Sequence, residues 1–221
     1  MSTKKDVGKI RKAVKRTKAV TYTPVKPELQ LGFIHNNVDC IGCRACEIAC
    51  KDKNGLAPGP RFRRVQYIEG GRYPDVFAYK VNMSCNHCAE PACLPTCPTG
   101  AIFKRKEDGI VDIDSTLCIG CRRCEAACPF GAPQFDPLDN IVKKCNMCVD
   151  EIDAGRKPYC VMACMMRVLD IGKVEEIWDG SIDTVALGAN DKVSRQVKNM
   201  ANIELTKPSI GFVAHSKGKV K

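Results

Sequence analysis

The chain is 221 residues long, with sixteen cysteines, 27% charged and 6% aromatic residues, and a formal net charge of +10. This length suits one or two domains, but so few aromatics leave little for an ordinary core, and small lobes organised by the cysteines are expected. No apolar run approaches the roughly 20 residues needed to cross a bilayer, which excludes a direct membrane span.

Residues 1–29 form a basic arm, and through residue 30 there are nine Lys/Arg against Asp6 and Glu28. The pattern predicts a helix from Val7 to Val20, then an extended stretch at Pro24 and Pro27. The arm lacks the apolar segment of a secretory signal, and Lys15-Arg16 is not a twin-arginine pair. The chain is therefore expected to stay in the cytoplasm or to be exported with a partner. Leu31-Gly32-Phe33-Ile34 reads as a short strand leading to a first cysteine tetrad, Cys40, Cys43, Cys46 and Cys50. Within an insert at 51–84, Phe62 to Glu69 and Val76 to Val81 alternate like strands around Gly70-Gly71 and Pro74, which predicts a β-hairpin over a cluster.

Residues 85–131 read as a nearly self-contained ferredoxin unit. It holds the second tetrad (Cys85, Cys88, Cys93, Cys97) and the third (Cys118, Cys121, Cys124, Cys128), joined by strands that turn at Asp108-Gly109. The fourth tetrad, Cys145, Cys148, Cys160 and Cys164, encloses a short helix from Val149 to Ala154 that Gly155 ends. From Lys173 to Met200 the chain is partly helical, and residues 173–221 are expected to form an extended tail lying on a partner.

The first and third tetrads have the spacing x2-x2-x3 of bacterial ferredoxins, in which three thiolates hold one cubane and the fourth reaches a second. All sixteen cysteines fall into tetrads. Pro98 and Pro129 follow the second and third, whereas Lys51 and Met165 follow the first and fourth. The fold class expected is therefore α+β, as two pseudo-symmetric ferredoxin-like lobes of two [4Fe–4S] clusters each. The inner lobe spans 85–131, and the outer one combines 30–84 with 132–172. Crossed ligation then gives four sets: Cys40, Cys43, Cys46 with Cys164; Cys145, Cys148, Cys160 with Cys50; Cys85, Cys88, Cys93 with Cys128; and Cys118, Cys121, Cys124 with Cys97.

Other uses of the cysteines fit less well. Cysteines this dense make poor disulfides, and structural zinc prefers two separate Cys-x2-Cys knuckles, an arrangement only the fourth tetrad resembles. With every cysteine taken, no catalytic constellation remains. Arg122 and Arg123 either raise the potential of the third tetrad's cluster, or face solvent or bind a neighbouring subunit; His87 either hydrogen-bonds a sulfur or packs in its loop, while Tyr67, Trp178, Met165 and Met166 read as packing. Four cores at roughly −2 each bring the holo charge close to neutral. A nucleic-acid-binding protein with structural clusters is the rival reading. The basic arm favours it, but Tyr22 is that arm's only aromatic residue, and no nucleic-acid partner is expected.

The order of these motifs resembles the four-cluster iron–sulfur subunit of the dimethyl-sulfoxide reductase family of molybdopterin oxidoreductases. The resemblance runs from about Gly32 to Gly172. It rests on Cys40-Ile41-Gly42-Cys43, Phe62-Arg63-Arg64, Phe77-Ala78-Tyr79, Ser84-Cys85-Asn86-His87-Cys88, Cys128-Pro129-Phe130-Gly131-Ala132-Pro133-Gln134 and Lys143-Lys144-Cys145, with Lys207-Pro208 similar to the family's tail. It implies a non-catalytic electron-transfer subunit placed between a quinol-oxidising membrane anchor and a molybdopterin catalytic subunit, first of all in an anaerobic respiratory dimethyl-sulfoxide reductase. Formate dehydrogenases, hydrogenases and polysulfide or arsenate reductases are the alternatives. It also implies a peripheral place on the membrane, on the periplasmic face by co-export or else on the cytoplasmic face. In related nitrate-reductase subunits a tryptophan stands where this chain has Cys121, and a [3Fe–4S] cluster forms there. Anaerobic metal analysis of the purified protein is expected to give about sixteen iron per chain, and a value near twelve, or stoichiometric zinc, contradicts the tetrad reading.

Overall fold

The computed structural model describes residues 30–188 and 191–219, so the basic arm and its expected helix lie outside the described residues. The sequence folds as an α+β chain around a four-stranded sheet and three hairpins. Strand β1 (Leu31–Asn36) lies inside that sheet. It is flanked by β8 (Leu169–Lys173), antiparallel, and by β10 (Ile210–Val213), parallel, and β9 (Val193–Ser194) pairs with β10 at the far edge. In register, Phe33 stands opposite Ile210 and Ile171, and Ile34 opposite Gly211 and Asp170.

Successive side chains of a strand point to opposite faces, yet Phe33, Ile34 and His35 are all buried. Both faces of β1 are therefore covered. Phe33 joins the large core that contains half of the cysteines, whereas Ile34 packs with Ile177 of helix α5 (Val174–Asp179) and with Ala186. Glycines make that second face possible. A Cβ on Gly211 would stand 2.4 Å from Ile177 Cγ2, one on Gly32 2.5 Å from the Ser209 carbonyl oxygen, and one on Gly172 2.3 Å from Ile182 Cδ1.

The hairpin expected in the insert is β2 (Arg64–Gly70) with β3 (Phe77–Met83), antiparallel, Arg64 opposite Met83 and Gly70 opposite Phe77. It leans on the first tetrad, where the Tyr67 hydroxyl donates to the Gly42 carbonyl oxygen. Strand β4 (Ile102–Lys104) pairs with β5 (Val111–Ile113) as expected, and β6 (Gln134–Asp136) with β7 (Ile141–Lys143) forms a hairpin that the sequence reading did not contain. Helices α1 (Ala45–Lys53), α2 (Arg123–Ala127), α3 (Val149–Asp153) and α4 (Tyr159–Met162) carry or flank cysteines.

Two expectations change. Core packing does not divide into the inner and outer lobes: Cys85, Ile110 and Cys128 from 85–131 belong to the same core as Cys46, Cys50, Cys145, Cys160 and Cys164. Nor are the described residues beyond 173 an extended tail. They fold back onto the rest of the molecule, because Ile210, Phe212 and Val213 find their burial in its own sheet. The segment before β10 also ties down the second tetrad. The Ser209 N–H donates to Asn86 O at 2.9 Å, the Ser209 hydroxyl to His87 O at 3.0 Å, and the Ala89 N–H to Lys207 O at 2.9 Å. Phe212 is fully buried, so Phe212→Ala is expected to cost about 3–5 kcal/mol. The check is thermal unfolding of the holo chain without partners, where an unchanged midpoint would fit a tail that orders only on a partner.

Candidate metal centre

Each tetrad bends the same way. The residue before the second cysteine has positive φ in all four: Gly42 at 74°, His87 at 41°, Gly120 at 66° and Met147 at 61°. A left-handed residue turns neighbouring N–H groups inward and makes an anion-binding concavity. Glycine adopts it freely, and at Gly120 a Cβ would also stand 2.4 Å from the Asn140 carbonyl oxygen. His87 and Met147 hold the same turn against the preference of L-residues. Several donors reach sulfur: the Met147 N–H to Cys145 Sγ at 3.4 Å, the Ala132 N–H to Cys128 Sγ and the Val142 N–H to Cys118 Sγ at 3.5 Å, and the Asn82 amide to Cys46 Sγ at 3.2 Å.

After three of these turns, those at Gly42, Gly120 and Met147, a helix starts. Arg44 and Arg122, left-handed again, cap α1 and α2. Cys46 and Cys50 then lie one turn apart on α1, Cys124 and Cys128 span α2, and Cys160 on α4 is followed by Cys164.

The thiols gather across tetrads. One small cavity is lined by Cys40, Cys43, Cys46 and Cys164. A second is lined by Cys85, Cys88, Cys93 and Cys128. Cys50 lies within electrostatic range of Cys160 and Cys148, and Cys145 within range of Cys50 and Cys160. Cys124 is in range of Cys118 and Cys121, and Cys97 packs with Cys118 and Cys124 in the smaller core. Cys164 stands with the first tetrad, so the fourth tetrad is not gathered as a four-cysteine zinc site. Among the described residues no three donors converge on a single ion, and the two sets that line cavities enclose a space instead of a point. Neighbouring sets touch electrostatically through Cys46 with Cys160, Cys145 with Cys85, and Cys93 with Cys124. This gives the tetrads the order first, fourth, second, third.

Burial pushes most of these thiols up, Cys46 and Cys124 to about 11, Cys50 and Cys93 to about 12, and Cys145 well above its ordinary value. Cys97 differs: burial raises it, but the Thr99 hydroxyl and the N–H groups of Ile102, Thr99 and Ala101 outweigh that and lower it. Thiols held neutral by burial form ligands only to a strongly positive centre that expels their protons.

Buried polar atoms point the same way. His87 Nδ1 accepts from the Val111 N–H at 3.0 Å, which puts its proton on Nε2, and that buried nitrogen has no protein partner. Both side-chain polar atoms of Asn86 are likewise without one. Thiol sets enclosing spaces, N–H groups aimed at sulfur and donors awaiting acceptors fit a [4Fe–4S] core, whose sulfides accept hydrogen bonds. His87 is a buried loop residue whose unpartnered Nε2–H suits the hydrogen bond to sulfur that the sequence offered beside packing. Arg122 faces solvent, paired with Glu125 at 2.7 Å. The sequence reading passed over an internal repeat: residues 40–50 and 118–128 differ only at Ala45 against Arg123 and Ile48 against Ala126, and Cys-Asn-x-Cys recurs at 85–88 and 145–148.

A cysteine-lined α+β protein of this kind is a [4Fe–4S] electron-transfer protein, and residues 76–174 match the family model of the 4Fe-4S dicluster domain. Over 201 residues it is 40% identical to the B chain of the anaerobic dimethyl sulfoxide reductase of Escherichia coli (strain K12), an alignment covering 85% of this protein and 98% of that one. It is 42% identical over 157 residues to the corresponding chain of Haemophilus influenzae (67% and 76% covered). To the B subunit of the sulfite dehydrogenase of Allochromatium vinosum it is 38% identical over 168 residues (66% and 70%). The chain therefore belongs to the iron–sulfur subunits of the dimethyl-sulfoxide reductase family, which are electron-transfer members of oxidoreductase complexes and not catalytic alone.

Grouping across tetrads makes a specific prediction. Cys164→Ser is expected to disturb the spectrum of the same cluster as Cys40→Ser, and Cys50→Ser that of the same cluster as Cys148→Ser. Electron paramagnetic resonance of the four reduced variants reads this, and a shared fingerprint of Cys164→Ser with Cys148→Ser would mean uncrossed ligation.

Proposed function

We propose that this chain carries electrons between a quinol-oxidising membrane anchor and a molybdopterin catalytic subunit, in an anaerobic respiratory dimethyl-sulfoxide reductase. Four [4Fe–4S] clusters, when bound, supply one-electron transfer. Their ligands are Cys40, Cys43, Cys46 and Cys164; Cys145, Cys148, Cys160 and Cys50; Cys85, Cys88, Cys93 and Cys128; and Cys118, Cys121, Cys124 and Cys97. The observation that carries the reading is the linear succession of the sets together with the exposure of its ends. Cys43 and Cys121, in the terminal sets, are the exposed cysteines. Exposed apolar side chains flank them in sequence, Ile41 and Ile48 on either side of Cys43, and Leu117 and Ile119 before Cys121. Such patches suit docking of partner subunits, while the sets between them are shielded.

The protein's own residues bind, shield and tune. Backbone N–H groups and the Asn82 amide donate to sulfur and favour the reduced, more negative state of a cluster. The helices α1 and α4 pack on each other and hold Cys46, Cys50 and Cys160 across two sets. Among the described residues no helix is long and apolar enough to cross a membrane, which is consistent with a peripheral subunit on either face, reached on the periplasmic side by co-export. Identity of 40% across 98% of a dimethyl sulfoxide reductase B chain supports that assembly, and 38% to a sulfite dehydrogenase subunit favours a related oxidoreductase as the second reading. The catalytic subunit that co-purifies, assayed with its substrates, decides between them.

Cys121 tests whether its cluster lies on the path from quinol. Cys121→Ser is expected to leave one iron without its thiolate, yielding a [3Fe–4S] signal and loss of quinol-linked turnover, while an artificial donor still drives the catalytic subunit. Normal quinol-linked turnover without that signal would remove this cluster from the path.

A further inference from the structure

Arg63 is 2% exposed, and its whole guanidinium lies inside the core. A buried charge is costly unless it is paired, yet among the described residues no carboxylate forms an ion pair with it. Its protein contacts account for only part of it. Nη1 donates to Asn82 Oδ1 at 3.1 Å, and the guanidinium carbon sits 4.3 Å from the centre of the Phe33 ring. Nε and Nη2 are buried with no protein partner. Burial works against its charge, and the sulfurs of Cys160, Cys145, Cys46 and Cys50 act in the opposite sense and prevail. Those four cysteines come from two ligand sets, the one closed by Cys164 and the one closed by Cys50. Asn82 links Arg63 to the first set directly, since the amide that accepts from Arg63 donates to Cys46 Sγ at 3.2 Å.

We propose that Arg63 is a positioning residue wedged between the first two cluster sites, one fixed positive charge that raises the reduction potential of both. The proposal rests on the crossed-ligand reading above. A bound anionic cluster would take the place of the missing carboxylate, and Nε–H and Nη2–H, without protein partners, would be its available donors. Because reduction adds negative charge, a buried cation favours the reduced form of whichever cluster it faces. Shared between two, it favours reduction of each and leaves the repulsion between the two reduced clusters unchanged. Phe33 of the central sheet and Asn82 of β3 fix the guanidinium, so its charge does not move away as the charge state changes. The neighbouring His35 is buried and pushed down to about 3, chiefly by burial, and so adds no second cation.

The test is a potentiometric titration of the assembled complex, followed by electron paramagnetic resonance, for Arg63→Gln and Arg63→Lys. In Arg63→Gln with full iron, the two clusters that Cys164→Ser and Cys50→Ser identify are expected to become harder to reduce by tenfold or more in equilibrium constant (59 mV for one electron). The other two are expected to shift by less than half as much. Arg63→Lys keeps the charge and is expected to retain both potentials within that same tenfold. Unchanged potentials in Arg63→Gln, or an equal fall in all four clusters, overturn the proposal. Should Arg63→Gln load incompletely, Arg63→Lys decides: full iron with both potentials retained supports it, and a fall beyond tenfold despite the charge overturns it. Iron content and the number of resolved signals in the unaltered chain test the ligand reading separately, so failure of one is not mistaken for failure of the other.

Discussion

A thiol surrounded by aliphatic side chains keeps its proton, and iron binds a thiolate. Everything else in this chain follows from that opposition. Cys50 and Cys93 are pushed to about 12 by burial, so a polypeptide that gathered these groups without a cation would bury neutral sulfur and gain little. When metal arrives the balance reverses. Protons leave, the thiolates are neutralised locally, and the N–H groups curled around the turns at Gly42, His87, Gly120 and Met147 find anionic acceptors. Folding and ligation are therefore one process here, which is why a chain with 6% aromatic residues assembles a core at all.

Much of this was legible in the sequence because covalent spacing is rigid information. Two residues between cysteines limit the backbone to a tight curl, and Gly42 and Gly120 mark the left-handed turn. The β2–β3 hairpin was legible for the same kind of reason, since alternating side chains meet a turn at Gly70-Gly71. Long-range pairing was not. Ile210-Gly211-Phe212-Val213 is a short apolar run with no cysteine near it, and nothing local says that its partner is Phe33. The β6–β7 hairpin escaped because three-residue strands carry almost no periodicity.

The arginines show the same limit in electrostatic form. Arg122 and Arg123 drew attention by standing between cysteines, yet Arg122 is exposed and ion-paired with Glu125. Arg63 stands in a run with Arg61 and Arg64, thirteen residues past Cys50 in sequence, and it is the one enclosed with four sulfurs. Charge near a ligand in sequence says little about charge near it in space. What decides is which side chain the packing of Phe33 and Asn82 encloses.

The place of β10 has a consequence for how the protein is made. A strand that begins at Ile210 completes the sheet beside β1, which begins at Leu31, and the residues just before it hold the Asn86–Ala89 turn. During synthesis all sixteen cysteines leave the ribosome before that strand does. For that interval the sheet lacks its parallel partner and the second tetrad lacks its clamp. Phe212 enters the core only after every cysteine has been made, and its strand closes the sheet beside β1. A truncation that removed only this strand would spare every cysteine and still take Phe212 out of the core and the clamp from the second tetrad.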